Sequence, residues 1–207
     1  FSQTFEDGVV IAKAKFATPD VRYSNGESAG SVKIILQNGD ADTYLWSESD
    51  DKSDAQEAEN ASFEVNREGV YYVWGAGDEN HEDSDVKEAE VIAVTFDDND
   101  GAADAGETEN AVFTKGSAKV LMAPGQCLNS WGGLPAVEWQ GHHFVGWQLP
   151  DGAELTALTA IEGNVTAVAQ WSVDSTGGLA PATPNGAYVA EKVEGVSVTL
   201  DGVNEIN

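Results

Sequence analysis

The sequence predicts a mainly β fold, because short apolar or alternating runs recur between clusters of turn-forming residues and no convincing helical period is present. Hydrophobic residues at 41% and aromatic residues at 9% can supply the burial that offsets the entropy of ordering the chain. A length of 207 residues fits one large domain or two small ones, and the Gly-rich and Trp-rich composition favours two. We therefore predict modules at 1–93 and 94–172, followed by a linker and further strands at 173–207.

Six strands are predicted in the first module, and their spacing is typical of a sandwich of two sheets. They lie at 9–12, 32–36, 44–46, 63–65, 70–74 and 86–94. Turn residues such as Asn38-Gly39-Asp40 separate them. Two acidic segments, 48–60 and 78–85, are predicted to be solvated loops.

A more specific pattern runs from Phe63 to Tyr71, where a strand, a Glu-Gly turn and the Gly-x-Tyr start of a strand follow one another. This order resembles the late strands of bacterial immunoglobulin-like domains. The resemblance implies an immunoglobulin-like β-sandwich. In it, the Tyr71 hydroxyl would hold a corner and Trp46 would pack between the sheets.

Two predicted strands in the second module end in tryptophan, at Trp147 and Trp171. The two-residue period of a strand places one face of the later run toward a core, at Val165, Ala167, Ala169 and Trp171. In chain order, the motifs VTFDDNDG, GLP, GHHFVGW and EGNVTAVAQW resemble the internalin-type B-repeat, or Listeria-Bacteroides repeat, over about residues 94–172. The acidic stretch 98–110 is longer than the usual turn. The resemblance implies a small β-grasp-like module of bacterial surface proteins, with a structural or adhesive role and no catalytic residues.

The balance of ten basic against 36 acidic residues gives a net charge of −26. Such a charge repels phosphate backbones and anionic lipids, so we predict neither nucleic-acid binding nor membrane contact. It can attract cations or basic partners. The single cysteine, Cys127, allows no internal disulfide, and we predict that it is a buried, inert thiol.

The turn Asp97-Asp98-Asn99-Asp100-Gly101 crowds oxygen ligands of the kind that calcium prefers. In an EF-hand alignment with Gly101 sixth, Asp98 and Asp100 fit, but Phe96 stands where the first ligand is required. The hypothesis is therefore a non-standard calcium site, with a solvated acidic loop as the alternative. The candidate ligands are Asp97, Asp98, Asp100 and Asp104.

His142 and His143, with Glu138 nearby, are the other candidates for a metal site. Adjacent strand residues point to opposite faces, which prevents the two imidazoles from sharing one ion. The serines do not form a Gly-x-Ser-x-Gly elbow, so the sequence nominates no catalytic residue.

Trp131 is the candidate ligand-binding residue, because it lies in a loop of Asn, Ser and Gly where a large ring is expected to be partly exposed. The alternative is that this ring folds back over the core. Segment 173–207 leaves two interpretations open: its strands either dock as an added sheet edge or begin a following repeat.

Together these features predict a monomeric, non-enzymatic segment of a secreted, extracellular protein of the Gram-positive cell wall. It would act as a stalk or adhesin, with a host or cell-surface protein or glycan as partner. The alternative function is a glycan- or protein-binding module that uses an exposed Trp131, with a bound calcium ion. Lys33 and Lys119 lie in predicted strands and are candidates for a cross-link to an asparagine.

Overall fold

The computed structural model describes residues 2–4, 10–101 and 110–173, which form a mainly β structure as predicted. We call residues 10–91 the first half, and residues 92–101 and 110–173 the second half. The strands up to residue 82 are β1 Ser2–Thr4, β2 Val10–Ala12, β3 Ala14–Lys15, β4 Asp20–Asn25, β5 Val32–Gln37, β6 Tyr44–Ser47, β7 Gln56–Glu57, β8 Ser62–Val65, β9 Gly69–Gly75 and β10 His81–Glu82.

The longest strand, β11, runs over Lys87–Asp97 and belongs to both halves. The strands that follow it are β12 Ala111–Lys115, β13 Lys119–Met122, β14 Gln126–Cys127, β15 Ala136–Trp139, β16 His142–Gln148, β17 Glu154–Leu155, β18 Ala160–Ile161 and β19 Val165–Val173.

Two packed layers form the first half. One is the three-stranded sheet β4-β5-β8, and the other contains β9, β6 and β7 with the start of β11. Strand β5 alternates as the two-residue period requires, and its buried residues Val32, Ile34 and Leu36 belong to the hydrophobic core. Facing layers of this kind bury one side of each sheet.

The two contacts expected of Tyr71 and Trp46 are confirmed. The Tyr71 hydroxyl donates a hydrogen bond to the Arg67 carbonyl oxygen at 2.9 Å. The Trp46 ring stacks on Phe63 of the opposite layer, with a centroid distance of 4.4 Å and an interplanar angle of 5°. The immunoglobulin-like topology itself stays a prediction.

The two acidic segments contain more structure than a solvated loop, so that prediction is wrong in part. Segment 48–60 carries β7 and a buried Ala58, and segment 78–85 carries β10 and a buried Ser84. Strand β10 pairs in parallel with β3, which ties this segment to the start of the first half. The missed strands are two residues long, which is too short for a hydrophobic period to reveal them.

The predicted boundary between residues 93 and 94 lies inside β11 rather than in a connection. Residues 87–91 pair with β9, residues 92–95 with β13, and residues 94–97 with β19. One sheet therefore continues through both halves, in the order β17-β16-β19-β11-β9-β6-β7. Independent folding of the two modules stays a prediction.

Burial changes face along β11. Ala89 and Val91 are buried before the middle of the strand, and Val94 and Phe96 after it, while Thr95 is exposed. Since successive side chains point to opposite faces, odd-numbered residues serve the first half and even-numbered residues the second. The four residues from Val91 to Val94 are all buried where the two packed regions meet.

In the second half, β19 lies between β11 and β16, parallel to the former and antiparallel to the latter. The face predicted for β19 is confirmed, since Ala167 and Ala169 are fully buried and Val165 and Trp171 pack against the core. The pairs β12-β15 and β14-β18 form two further small sheets, and Val137 and Ile161 from them belong to the same hydrophobic core. The finer β-grasp-like assignment stays a prediction.

The predicted linker and strands of 174–207 lie outside the described residues, as does the first part of the 9–12 strand. Within the described residues, no helix has both the length and the apolar character that crossing a bilayer requires.

Candidate functional site

The acidic turn after β11 uses its carboxylates to hold backbone. Asp97 Oδ1 accepts a hydrogen bond from the Asn99 amide at 2.8 Å. Asp100 is only 7% exposed, and its Oδ2 accepts from the Asn110 and Ala111 amides at 2.5 and 3.1 Å. Asp100 thereby connects the two ends of the acidic stretch 98–110. Because the two amides satisfy its carboxylate, the charge can be buried there.

Two of the four candidate calcium ligands thus have structural partners, and the Asp98 carbonyl oxygen accepts the Trp171 indole N–H at 2.6 Å. Asp104 lies outside the described residues. Within the part that is described, no three His, Cys, Asp or Glu side chains are grouped in a way that could hold a metal ion. The calcium site stays a hypothesis.

Trp131 is buried at 6% exposure, so the expectation of an exposed ring is wrong and the alternative, a ring folded over the core, is confirmed. It ends a 3-10 turn, Leu128–Trp131, and Gly132 follows with a φ of +103°, which reverses the chain. The Trp131 indole N–H donates to Gln126 Oε1 at 2.6 Å. A Gly- and Ser-rich loop sequence did not mean solvent exposure here, because the turn folds inward.

The edge of Trp131 lines a groove between the two halves. This inter-half groove measures about 530 Å³ and runs between the turns at 25–31, 116–121 and 131–135. Asn25 Nδ2 donates to the Ser130 carbonyl at 3.0 Å, and Lys119 Nζ lies 2.6 Å from Glu68 Oε2. The contacts at its margin connect the halves, which makes the groove a seam between them.

A second concavity is aromatic and is lined by residues of the second half. Its rings belong to Trp139 at the end of β15, His142 and Phe144 of β16, and Trp171 of β19. Gly141 adopts a φ of +80° in the turn between β15 and β16, a conformation that glycine accepts without strain. That tight turn brings Trp139 and His142 together, stacked at 3.6 Å and 14°.

Ring contacts also fix Trp171 and Phe144. Trp171 meets Trp139 edge to face at 5.6 Å and 87°, and Phe144 contacts Trp171 at 5.4 Å. All four rings are half-buried. We call this concavity of about 630 Å³ the aromatic groove; Asn110 and Gln140 also line it.

The two histidines behave as strand geometry requires. His142 is half-buried against Trp139, whereas His143 is exposed on the opposite face. Glu138 is exposed and pairs across the β12-β15 ladder with Val112, while Trp139 pairs with the buried Ala111. Glu138 and Trp139 therefore point to opposite faces of β15. The expectation that the histidines do not share one ion agrees with this geometry.

The remaining candidate side chains are occupied. Cys127 is half-buried rather than buried, and its Sγ donates to the Leu158 carbonyl at 3.2 Å. The burial predicted for this thiol is therefore wrong. Lys33 lies 3.7 Å from Glu27, and Lys119 contacts Glu68, so both candidate cross-linking lysines face carboxylates.

Sequence reasoning missed Trp139 as a functional candidate. The available signal was its place directly before the Gln140-Gly141 turn, with an imidazole directly after it. A tight turn places its two flanking residues side by side, so an aromatic pair across it is predictable.

Comparison with known proteins gives no match, whether to a protein-family model, to a curated protein or to a solved structure.

Proposed function

We propose that this chain is a non-enzymatic, load-bearing segment of a secreted bacterial cell-surface protein, acting as a stalk or adhesin module. The resemblance to immunoglobulin-like and B-repeat modules motivates the extracellular, cell-wall setting. The observation that carries the mechanical role is the shared strand β11, which places both halves in one sheet.

The pairing of β11 with β19 supports this role. The two strands are parallel and run in register from Val94 opposite Val165 to Asp97 opposite Val168. A pull on the start of β11 and on the end of β19 acts in opposite directions along the strands. It therefore loads the evenly spaced bonds of a parallel ladder together, in shear, instead of opening them one after another.

The seam between the halves adds resistance to bending. The Asn25–Ser130 hydrogen bond and the Lys119–Glu68 ion pair link turns of the first half to turns of the second. Exposed pairs of this kind contribute little stability individually. They limit rotation about β11, which suits a spacer that projects another region away from a surface.

Single-molecule pulling tests the proposal with two pairs of engineered cysteines in a Cys127→Ser background. Handles at Glu88 and Ser172 load the β11-β19 ladder in shear, and handles at Thr95 and Thr166 peel the same ladder apart. All four positions are exposed, and Thr95 faces Thr166 across the ladder. We expect the unfolding force in shear to exceed the force in peeling several-fold at equal loading rate.

The peeling pair is the matched control, because it reports on the same hydrogen bonds in the same protein. Forced unfolding follows the unfolding rate, so both variants are also compared for equilibrium stability. Equal forces in the two geometries would contradict a load-bearing role.

A further inference from the structure

We propose that the aromatic groove binds a neutral saccharide, with Trp139 as the main contact residue. This activity goes beyond the load-bearing role and depends on different residues. The first observation is preorganisation: the Trp139 ring is held by the stacked His142 on one side and by the perpendicular Trp171. Rigid aromatic surface with fixed orientation is the lining that small-ligand sites use.

The second observation is an indole N–H that a ligand in the groove can reach. The Trp131, Trp147 and Trp171 indoles donate to Gln126, Pro135 and Asp98. The Trp139 indole has no acceptor among the described residues, as is also true of Trp46 and Trp74, and it is open to solvent because no described N–H is buried without a partner. A half-buried N–H is stabilised by an acceptor, and the hydroxyl and ring oxygens of a sugar supply one.

The remaining lining indicates a ligand without charge. Asn110 and Gln140 are exposed amides that can both donate and accept, which matches hydroxyl groups that do the same. Glu138 and His143 also border the groove, but the alternation of strand side chains directs them away from Trp139 and His142. The net charge of −26 disfavours sugars that carry carboxylate or sulfate groups.

The size of the groove agrees with this class. A volume of about 630 Å³ lies within the range of roughly 300–1,000 Å³ that is usual for ligand pockets. The apolar C–H faces of a sugar pack on the rings, while the amides and the Trp139 N–H fix its orientation.

The test is a neutral-glycan array, followed by titration of the full chain with cellotetraose, chitotetraose, mannotetraose and any array hit at two salt concentrations. We expect binding that does not change between 0.15 and 0.5 M NaCl, about tenfold weaker in Trp139→Ala. Trp139→Phe keeps a ring and loses the N–H, so we expect about a threefold to tenfold loss. Gln140→Ala alters an exposed amide and keeps the proposal testable if Trp139→Ala fails to fold.

Trp131→Phe is the matched control, because it changes a tryptophan outside the groove and should leave affinity unchanged. Binding lost in Trp131→Phe but kept in Trp139→Ala would overturn the assignment, as would the absence of Trp139-dependent binding to every glycan. Salt-sensitive binding would indicate a cationic ligand instead, and selective binding of a proline-rich peptide would indicate a protein partner; each also overturns the proposal. None of these outcomes bears on the pulling forces.

Discussion

The two halves of the sheet bury their aromatic rings differently. In the first half, Trp46 and Phe63 stack between two layers, and Tyr71 closes the corner beside them. In the second half, the rings form a continuous row from the core to the surface. The row passes through Phe96, Trp147, Phe144, Trp171, Trp139 and His142, each in contact with the next.

This difference separates two uses of the same residue type. Rings enclosed between layers stabilise a fold, whereas a row that ends in half-buried tryptophans also presents organised aromatic surface to solvent. The rings of the first half therefore have a structural role, whereas the outer end of the row in the second half also presents the surface proposed to bind a ligand.

Removing a buried ring near the inner end of the row tests this comparison with the largest effect. Trp147 is 2% exposed, and its N–H donates to the Pro135 carbonyl at 3.1 Å. We expect Trp147→Ala to lower the free energy of unfolding by about 3–5 kcal/mol, measured by chemical denaturation and far-UV circular dichroism. Leu158→Ala, at a side chain that is 72% exposed, should stay within about 0.5 kcal/mol. Equal effects would mean that the row is not part of the core.

The middle of β11, next to the point where the halves meet, is the next test. Asn164 Oδ1 accepts a hydrogen bond at 2.8 Å from the amide of Ala93, a buried residue in the middle of β11. Asn164→Ala leaves that amide without its acceptor, and we expect a loss of about 1–3 kcal/mol. The comparison is Asn129→Ala, at an exposed position, and thermal melting of both variants reports the difference. An unchanged midpoint for Asn164→Ala would show that β11 does not depend on this bond.

The corner of the first half should respond more weakly. Tyr71→Phe removes the hydroxyl that donates to Arg67 and keeps the ring, so we expect a loss of about 0.5–1.5 kcal/mol in chemical denaturation. Tyr72→Phe alters the neighbouring hydroxyl, outside the corner, and should cost less. A larger loss in Tyr72→Phe than in Tyr71→Phe would show that the Tyr71 hydroxyl does not stabilise this half.

Lowering the pH should reduce the stability of the first half by protonating its carboxylates. The change at any one carboxylate should be smaller than the effects of the substitutions above. A hydrogen bond from the Ser47 hydroxyl lowers the pKa of Asp54. A lowered folded pKa gives stability above the unfolded value of about 3.9 that is lost as pH falls through the folded pKa. Between pH 5 and pH 2, Asp54→Asn should therefore lose less stability than the unmodified chain in thermal melts.

Protonation also relieves repulsion within a chain of net charge −26, which acts in the opposite direction. Glu88→Gln removes the same charge at an exposed position of β11 and serves as the control for that effect. If both variants respond to acid alike, the Ser47–Asp54 contact does not contribute to pH dependence.

Much of the β architecture could be predicted because its signals are local. The alternation in β5 and β19, and the strand-turn-strand pattern around Tyr71, each lie within about ten residues. The two-residue strands β7 and β10 could not be predicted because they are too short to show a hydrophobic period, and β10 also pairs with the distant strand β3.

The sites were harder to predict, because exposure depends on tertiary packing. Loop composition favoured an exposed Trp131, but the 3-10 turn folds its ring inward. The strand period placed Trp171 on a core face, yet Trp171 remains half-buried, as does Trp139, which no sequence pattern singled out. Local sequence describes the backbone well, and it does not determine which ring the final packing leaves at the surface.

The change of buried face within β11 has a consequence for inheritance. A genetic break between Ala93 and Val94 would divide a strand whose two ends bury opposite faces in one core shared by both halves, leaving each descendant with an incomplete sheet. If recombination replaced one half with a segment from another gene, that segment would have to supply a strand whose buried side changes at the same point as in β11. We therefore expect lineages carrying this chain to transmit both halves as one unit.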